Sequence, residues 1–117
     1  MDRDTHKSSL DEAECPEWLE GDKKLLRGMV AIFIKNVPSQ MKQLRDAFEA
    51  KNARQVEILS HSLKGSAAMI GAHSLRDAAL KVERAVMDGD LEKARSIYPD
   101  MESELKNVLD ALKRHVT

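Results

Sequence analysis

The sequence predicts an all-α domain, an antiparallel up-down four-helix bundle with a short extra N-terminal helical segment. Three observations carry that expectation. Apolar residues recur at spacings of three and four over most of the chain, with no alternating run of useful length. The 117 residues include only 5 Gly and 3 Pro, too few breakers for a many-turned β fold, and their 42% apolar content is too rich in core formers for disorder. The breaks between the later periodic stretches are a few residues long, which obliges consecutive helices to run antiparallel.

Residues 1–19 are polar and lack sustained periodicity, so they read as a tail or linker, in which Leu10 to Leu19 adds a short helical turn and Trp18 packs that segment onto the body. The domain proper spans residues 20–117. Asp22 is placed to cap a first helix carrying Leu25, Leu26, Met29, Ile32 and Phe33 until Val37-Pro38 interrupts it. Pro38 suits a first helical position, and Met41, Leu44, Ala47 and Phe48 continue the pattern to about Lys51, as a second segment or as the first helix after a kink. Asn52 caps the next stripe, Val56, Leu59, Leu63, Ala67 and Ile70, which Gly71 stops. Ser74 is the cap expected for Leu75, Ala78, Ala79, Val82 and Val86, a helix closed by Asp88-Gly89. Asp90 then caps the last stretch, with Leu91, Ala94, Ile97, Met101, Leu105, Val108, Leu109 and Leu112 on its buried side. Pro99 is expected to kink or split that helix, because it removes a backbone donor and crowds the preceding turn. The methionines Met29, Met41, Met69, Met87 and Met101 are expected at or beside core positions, as filling.

Composition narrows the function. With 19 basic against 20 acidic residues the net charge is −1, which leaves no cationic excess to neutralise a nucleic-acid backbone or an anionic membrane surface. The longest apolar run, Met29 to Ile34, falls far short of the ~20 residues that span a bilayer. The mixed-charge opening Met1 to Lys7 does not resemble a secretory signal, and the single Cys15 has neither a disulfide partner nor metal-ligand spacing, so a reducing, cytoplasmic setting and a monomer are expected.

One segment departs from an ordinary amphipathic helix: His61-Ser62-Leu63-Lys64-Gly65-Ser66-Ala67-Ala68. At ~100° per residue His61 is rotated by about 200° from both Leu59 and Leu63, so it faces away from the core. A lone surface histidine is ordinarily no more than that, but the company here is unusual. The neighbours on its face are Ile58, Lys64, Gly65 and Ala68, two of them with almost no side chain. Glycine inside a helix costs roughly 1 kcal/mol relative to alanine, so close approach by another molecule is the natural reason for Gly65. Lys64 supplies a cation for a negative group placed on the imidazole, and Ile58 an apolar docking contact. A free imidazole titrates near ~6.5, so an exposed histidine at neutral pH offers a nucleophilic nitrogen without needing a buried base.

The string His61-Ser62-Leu63-Lys64-Gly65-Ser66-Ala67, followed by Gly71-Ala72 and Leu75, resembles the signature of histidine phosphotransfer (HPt) domains of two-component phosphorelays. Gly21-Asp22 with Leu25-Leu26, then Phe33, Pro38, Leu44, Val82-Glu83 and Gly89-Asp90, extend the similarity over roughly residues 20 to 115. The resemblance implies a four-helix bundle in which His61 takes a phosphoryl group from an aspartate of one response-regulator receiver domain and passes it to another. It implies Lys64 near the phosphate, and Gly65 as the small residue that lets the receiver come close. Glu83 falls where the family often has a Glu or Gln bonded to the other imidazole nitrogen, although the family's usual Leu-Glu pair reads Val82-Glu83 here.

The resemblance further implies a carrier without an ATP-binding or kinase domain of its own, with no cofactor or metal on this chain and Mg²⁺ held by the receiver. Two other readings stay open at this stage. One is a non-catalytic helical adaptor that binds receivers. The other is the phosphoacceptor fragment of a larger sensor histidine kinase, so that a hybrid kinase joins the receivers among the expected partners. A metal site built from His61, His73 and a carboxylate is disfavoured, because twelve residues along one helix separate the two rings by ~18 Å.

Overall fold

The computed structural model describes residues 23–116. They form four helices, α1 (Lys23–Glu49), α2 (Ala53–Met69), α3 (His73–Met87) and α4 (Leu91–Val116), and no strand occurs among the described residues. Each helix packs on the next and α4 packs back on α1, closing an up-down ring. The expected N-terminal segment over 1–19, the Asp22 cap and the packing of Trp18 lie outside the described residues.

The three turns are built alike. Residues 51, 71 and 89 adopt positive φ, and in each case the following amide bonds back across the last helical turn: Asn52 N–H to Ala47 O at 2.9 Å, Ala72 N–H to Ala67 O at 2.8 Å and Asp90 N–H to Ala85 O at 2.9 Å. This closure satisfies carbonyls that a helix end would otherwise leave orphaned. Gly71 and Gly89 enter the left-handed region without a Cβ penalty, whereas Lys51 does so at φ 54° and bears one. The next helix then starts at once. Asn52 Oδ1 accepts from Gln55 N–H at 3.1 Å and Asp90 Oδ1 from Lys93 N–H at 3.0 Å, as the sequence predicts. Ser74 is not a cap: α3 opens two residues earlier than that cap implies, at His73, with Ala72 at the cap position and no side-chain bond.

The core is a continuous apolar column. Val37, Leu44, Val56, Leu63, Leu75, Val82, Met101 and Val108 are all but inaccessible to solvent. Both prolines stand inside unbroken helices, Pro38 in α1 and Pro99 in α4, so neither starts a helix nor splits one. Each removes one hydrogen bond, yet the buried residues on either side, Val37 and Met41 in α1 and Tyr98 and Met101 in α4, hold both turns against the bundle. Tyr98 is the core member that a purely apolar pattern misses. Its ring meets Phe48 edge-on at 5.8 Å, its hydroxyl donates to the Met41 carbonyl at 2.9 Å, and Arg95 lies over both rings. Burial pushes its phenol above the ordinary value.

Four residues expected inside are outside. Leu25, Ile32, Met69 and Met87 are 42%, 60%, 56% and 64% exposed. In α1 the buried stripe runs instead through Val30, Phe33 and Val37, and Met69 and Met87 are the last residues of their helices, where the chain is already turning away. Replacing Leu44 by Ala is therefore expected to lower the unfolding free energy by ~2–5 kcal/mol in chemical denaturation, whereas Met87→Ala changes it by no more than about 0.5 kcal/mol.

Candidate functional site

His61 projects from the ninth position of α2 with its side chain 67% exposed, which agrees with the rotation read from its spacing to Leu59 and Leu63. Glu83 reaches it from α3. That carboxylate sits at the margin of the buried stripe of α3, between Val82 and Ala85, and is itself nearly buried. It holds two partners at once. Oε2 lies 2.8 Å from His61 Nδ1, and Oε1 accepts from Lys64 Nζ at 2.7 Å. The two α2 side chains are three residues apart, on one face of the helix, so a single acidic group from the neighbouring helix meets both.

The electrostatics follow from that arrangement. Burial alone raises the Glu83 carboxyl, but the hydrogen bonds and charges of Lys64 and His61 outweigh it and hold the group below its ordinary value of 4.5. Glu83 is therefore ionised at neutral pH. An ionised carboxylate only accepts, so Nδ1 of His61 carries the proton and the lone pair is on Nε2. The site thus presents one nucleophilic nitrogen on a ring whose other nitrogen is fixed.

The surroundings are open. Gly65 is exposed, and a Cβ built on it would meet nothing within 4 Å, so no neighbour inside the bundle demands glycine there. The feature makes sense toward an external surface. Ala68 is exposed beside it and Ile58 is 45% exposed. Met69 joins them: eleven residues after Ile58 it returns to within ~20° of the same helical bearing, and it places an accessible thioether at the far end of the strip. Its spacing from Ile58 and Gly65 was the signal in the sequence; reading it as core filling obscured it.

All six residues singled out from the sequence, His61, Lys64, Glu83, Ile58, Gly65 and Ala68, are thus placed, and His61, Lys64 and Glu83 are brought into contact. Lys64 is engaged by Glu83 in this state and does not stand free beside the imidazole. Arg84, next to Glu83, is exposed. His73 is not on the helix of His61, as the argument against a shared metal assumed, but is the first residue of α3, beyond the turn at Gly71. Among the described residues no group of three or more His, Cys, Asp or Glu is placed to hold a metal ion, and no helix is long and apolar enough to cross a membrane.

Comparison with known proteins adds two similarities. A sequence model described as the Hpt domain matches residues 28–115. The phosphorelay intermediate protein rdeA of Dictyostelium discoideum is 31% identical over 96 residues, which cover 82% of this chain and 38% of that protein, so the chain spans well under half the length of this relative. No solved structure matches significantly.

The depressed Glu83 carboxyl makes stability pH-dependent with a definite sign. A carboxyl whose folded value lies below its unfolded value stabilises the fold above the unfolded value, and that contribution is lost as pH falls through the folded one. Urea denaturation of wild type and Glu83→Gln is expected to show an unfolding free-energy difference at neutral pH that shrinks as pH drops below 4.5.

Proposed function

The chain belongs to the Hpt domain family, and from that premise we propose that His61 is its phosphoacceptor, relaying a phosphoryl group between aspartates of response-regulator receiver domains. As an Hpt domain it is a phosphoryl carrier, not a kinase. The observation that supports the reading most directly is the pairing of an exposed His61 with a carboxylate on Nδ1.

The chemistry follows from that pairing. The lone pair of Nε2 attacks the phosphorus of the receiver's aspartyl phosphate in line; the Nε2–P bond forms as the P–O bond to the aspartate breaks, and the aspartate leaves as a carboxylate. Nδ1 keeps its proton throughout, so the phosphorylated ring carries a positive charge. Glu83, 2.8 Å away, offsets that charge where it develops. Transfer onward reverses the sequence, with the oxygen of a second aspartate attacking phosphorus and Nε2 leaving with its lone pair restored.

Lys64 has a role in both states. In the resting site its ammonium is bonded to Glu83 Oε1. A phosphoryl group on Nε2 brings oxygens that compete for the same ammonium, and its flexible stem allows the exchange. The Mg²⁺ that such transfers use is supplied by the receiver, which also contributes the other phosphate ligands. Ile58, Gly65, Ala68 and Met69 form the contact strip for it, with the two small residues giving the depth that an approaching aspartate loop needs. A cytoplasmic setting suits this role, since receivers are presented there.

Incubation with a receiver phosphorylated on aspartate, followed by tracking of acid-labile label, tests the assignment. Wild type is expected to take up label and His61→Gln to take up none; label that survives the substitution refutes the proposal, and no uptake by a folded wild type favours a receiver-binding adaptor. Gly65→Leu is expected to keep its helicity yet transfer roughly 100-fold more slowly, because the added side chain occupies the approach path. Lys64→Ala is expected to slow transfer about tenfold, equivalent to ~1.4 kcal/mol in the barrier, with the bundle intact by circular dichroism.

A further inference from the structure

We propose that Met69 and Met87 make the surface around His61 sensitive to peroxide, and that their oxidation to the sulfoxide turns phosphotransfer down by weakening the docking of the receiver. The inference rests on the reading of that surface as the receiver's contact face and names a regulation of it.

Access to solvent selects the two residues. Met69 and Met87 are 56% and 64% exposed, whereas Met41 and Met101 are buried and Met29 is half-buried. Position then gives them meaning. The contact of Glu83 with His61 fixes the register of α3 against α2. Met69 stands eight residues after His61, ~12 Å along α2. Met87 stands one turn after Glu83 on the same side of α3. Because the two helices run antiparallel, that turn carries it ~6 Å the other way, level with Ile58. The two thioethers therefore bracket the imidazole over ~18 Å, a span that lies inside the ~800 Å² a standard partner covers on each side. Both close their helices and bury little of themselves, so modifying them leaves the bundle in place.

The chemistry is a two-electron oxidation of sulfur. A sulfur lone pair attacks one oxygen of hydrogen peroxide; the S–O bond forms as the O–O bond breaks, and the departing hydroxide takes the proton of the transferred oxygen and leaves as water. A flexible apolar contact becomes a strongly hydrated polar one. A docking receiver must then strip that hydration, and Ile58, Gly65 and Ala68 beside it carry no side-chain donor to replace it. The cost falls on association rather than on attack by Nε2.

Treatment of the full chain with hydrogen peroxide, followed by peptide mass spectrometry, is expected to add one oxygen to Met69 and Met87 well before Met41 and Met101. Transfer from a receiver phosphorylated on aspartate is then expected to fall roughly tenfold at subsaturating receiver, with the saturating rate and the helicity retained. Each protein is compared with its own untreated rate: the ratio is expected to return to one in the double variant Met69→Leu with Met87→Leu, and after treatment of the oxidised wild type with methionine sulfoxide reductases A and B and a dithiol. An oxidised wild type that transfers undiminished overturns the proposal. So does a loss that the double variant shares, or one that the reductases do not reverse. Affinity for the unphosphorylated receiver, measured by calorimetry, is read alongside. If untreated wild type takes up no label, the assignment of His61 fails, and the affinity still decides the methionines: a fall on oxidation supports their role at the docking face, and an unmoved affinity overturns it.

Discussion

The site depends on one carboxylate shared between an imidazole and an ammonium. Glu83 is nearly buried at the α2–α3 seam, and a buried carboxylate is costly unless its oxygens are matched. Here each oxygen has one partner, His61 on one side and Lys64 on the other. That matching keeps the group ionised, and its ionisation in turn decides which imidazole nitrogen holds the proton. The tautomer of the ring, its orientation and the resting place of the lysine thus follow from a single acidic side chain on the neighbouring helix.

The fold supplies the rigidity this arrangement needs. His61 rides on the face of α2 opposite Leu59 and Leu63, with Lys64 one turn along on the flank toward α3, and the burial of the two leucines fixes the roll of the helix. Glu83 is fixed by Val82 and Val86 on α3 in the same way. The turn at Gly71 sets the stagger between the two helices through the Ala72 to Ala67 bond, so the 2.8 Å contact is a consequence of packing on both sides of the seam. Ser60, buried one residue before His61, satisfies its hydroxyl within its own helix by donating to the Glu57 carbonyl at 3.1 Å, and so makes no demand on the site.

Much of this was legible in the sequence because it rests on short-range rules. The outward bearing of His61 follows from helical rotation alone, Asn52 and Asp90 announce helix starts by side-chain chemistry, and Gly71 and Gly89 mark the left-handed turns. Gly65 stood out because no local rule favours it. What escaped depends on tertiary context. The prolines look like breaks, but long packed stripes carry α1 and α4 through them. Tyr98 is buried because a backbone carbonyl on another helix accepts its hydroxyl, and Leu25 and Ile32 are exposed because the stripe that meets the core is the one through Val30 and Phe33. The engagement of Lys64 by Glu83 is of the same kind: it requires knowing how two helices are staggered.

The most direct test of the account is nitrogen NMR of the His61 ring before and after phosphorylation. The account predicts a resting ring protonated on Nδ1, the nitrogen that faces Glu83, and phosphorus coupling to Nε2 in the phosphorylated chain. A resting proton on Nε2, or phosphorus coupled to Nδ1, would contradict it.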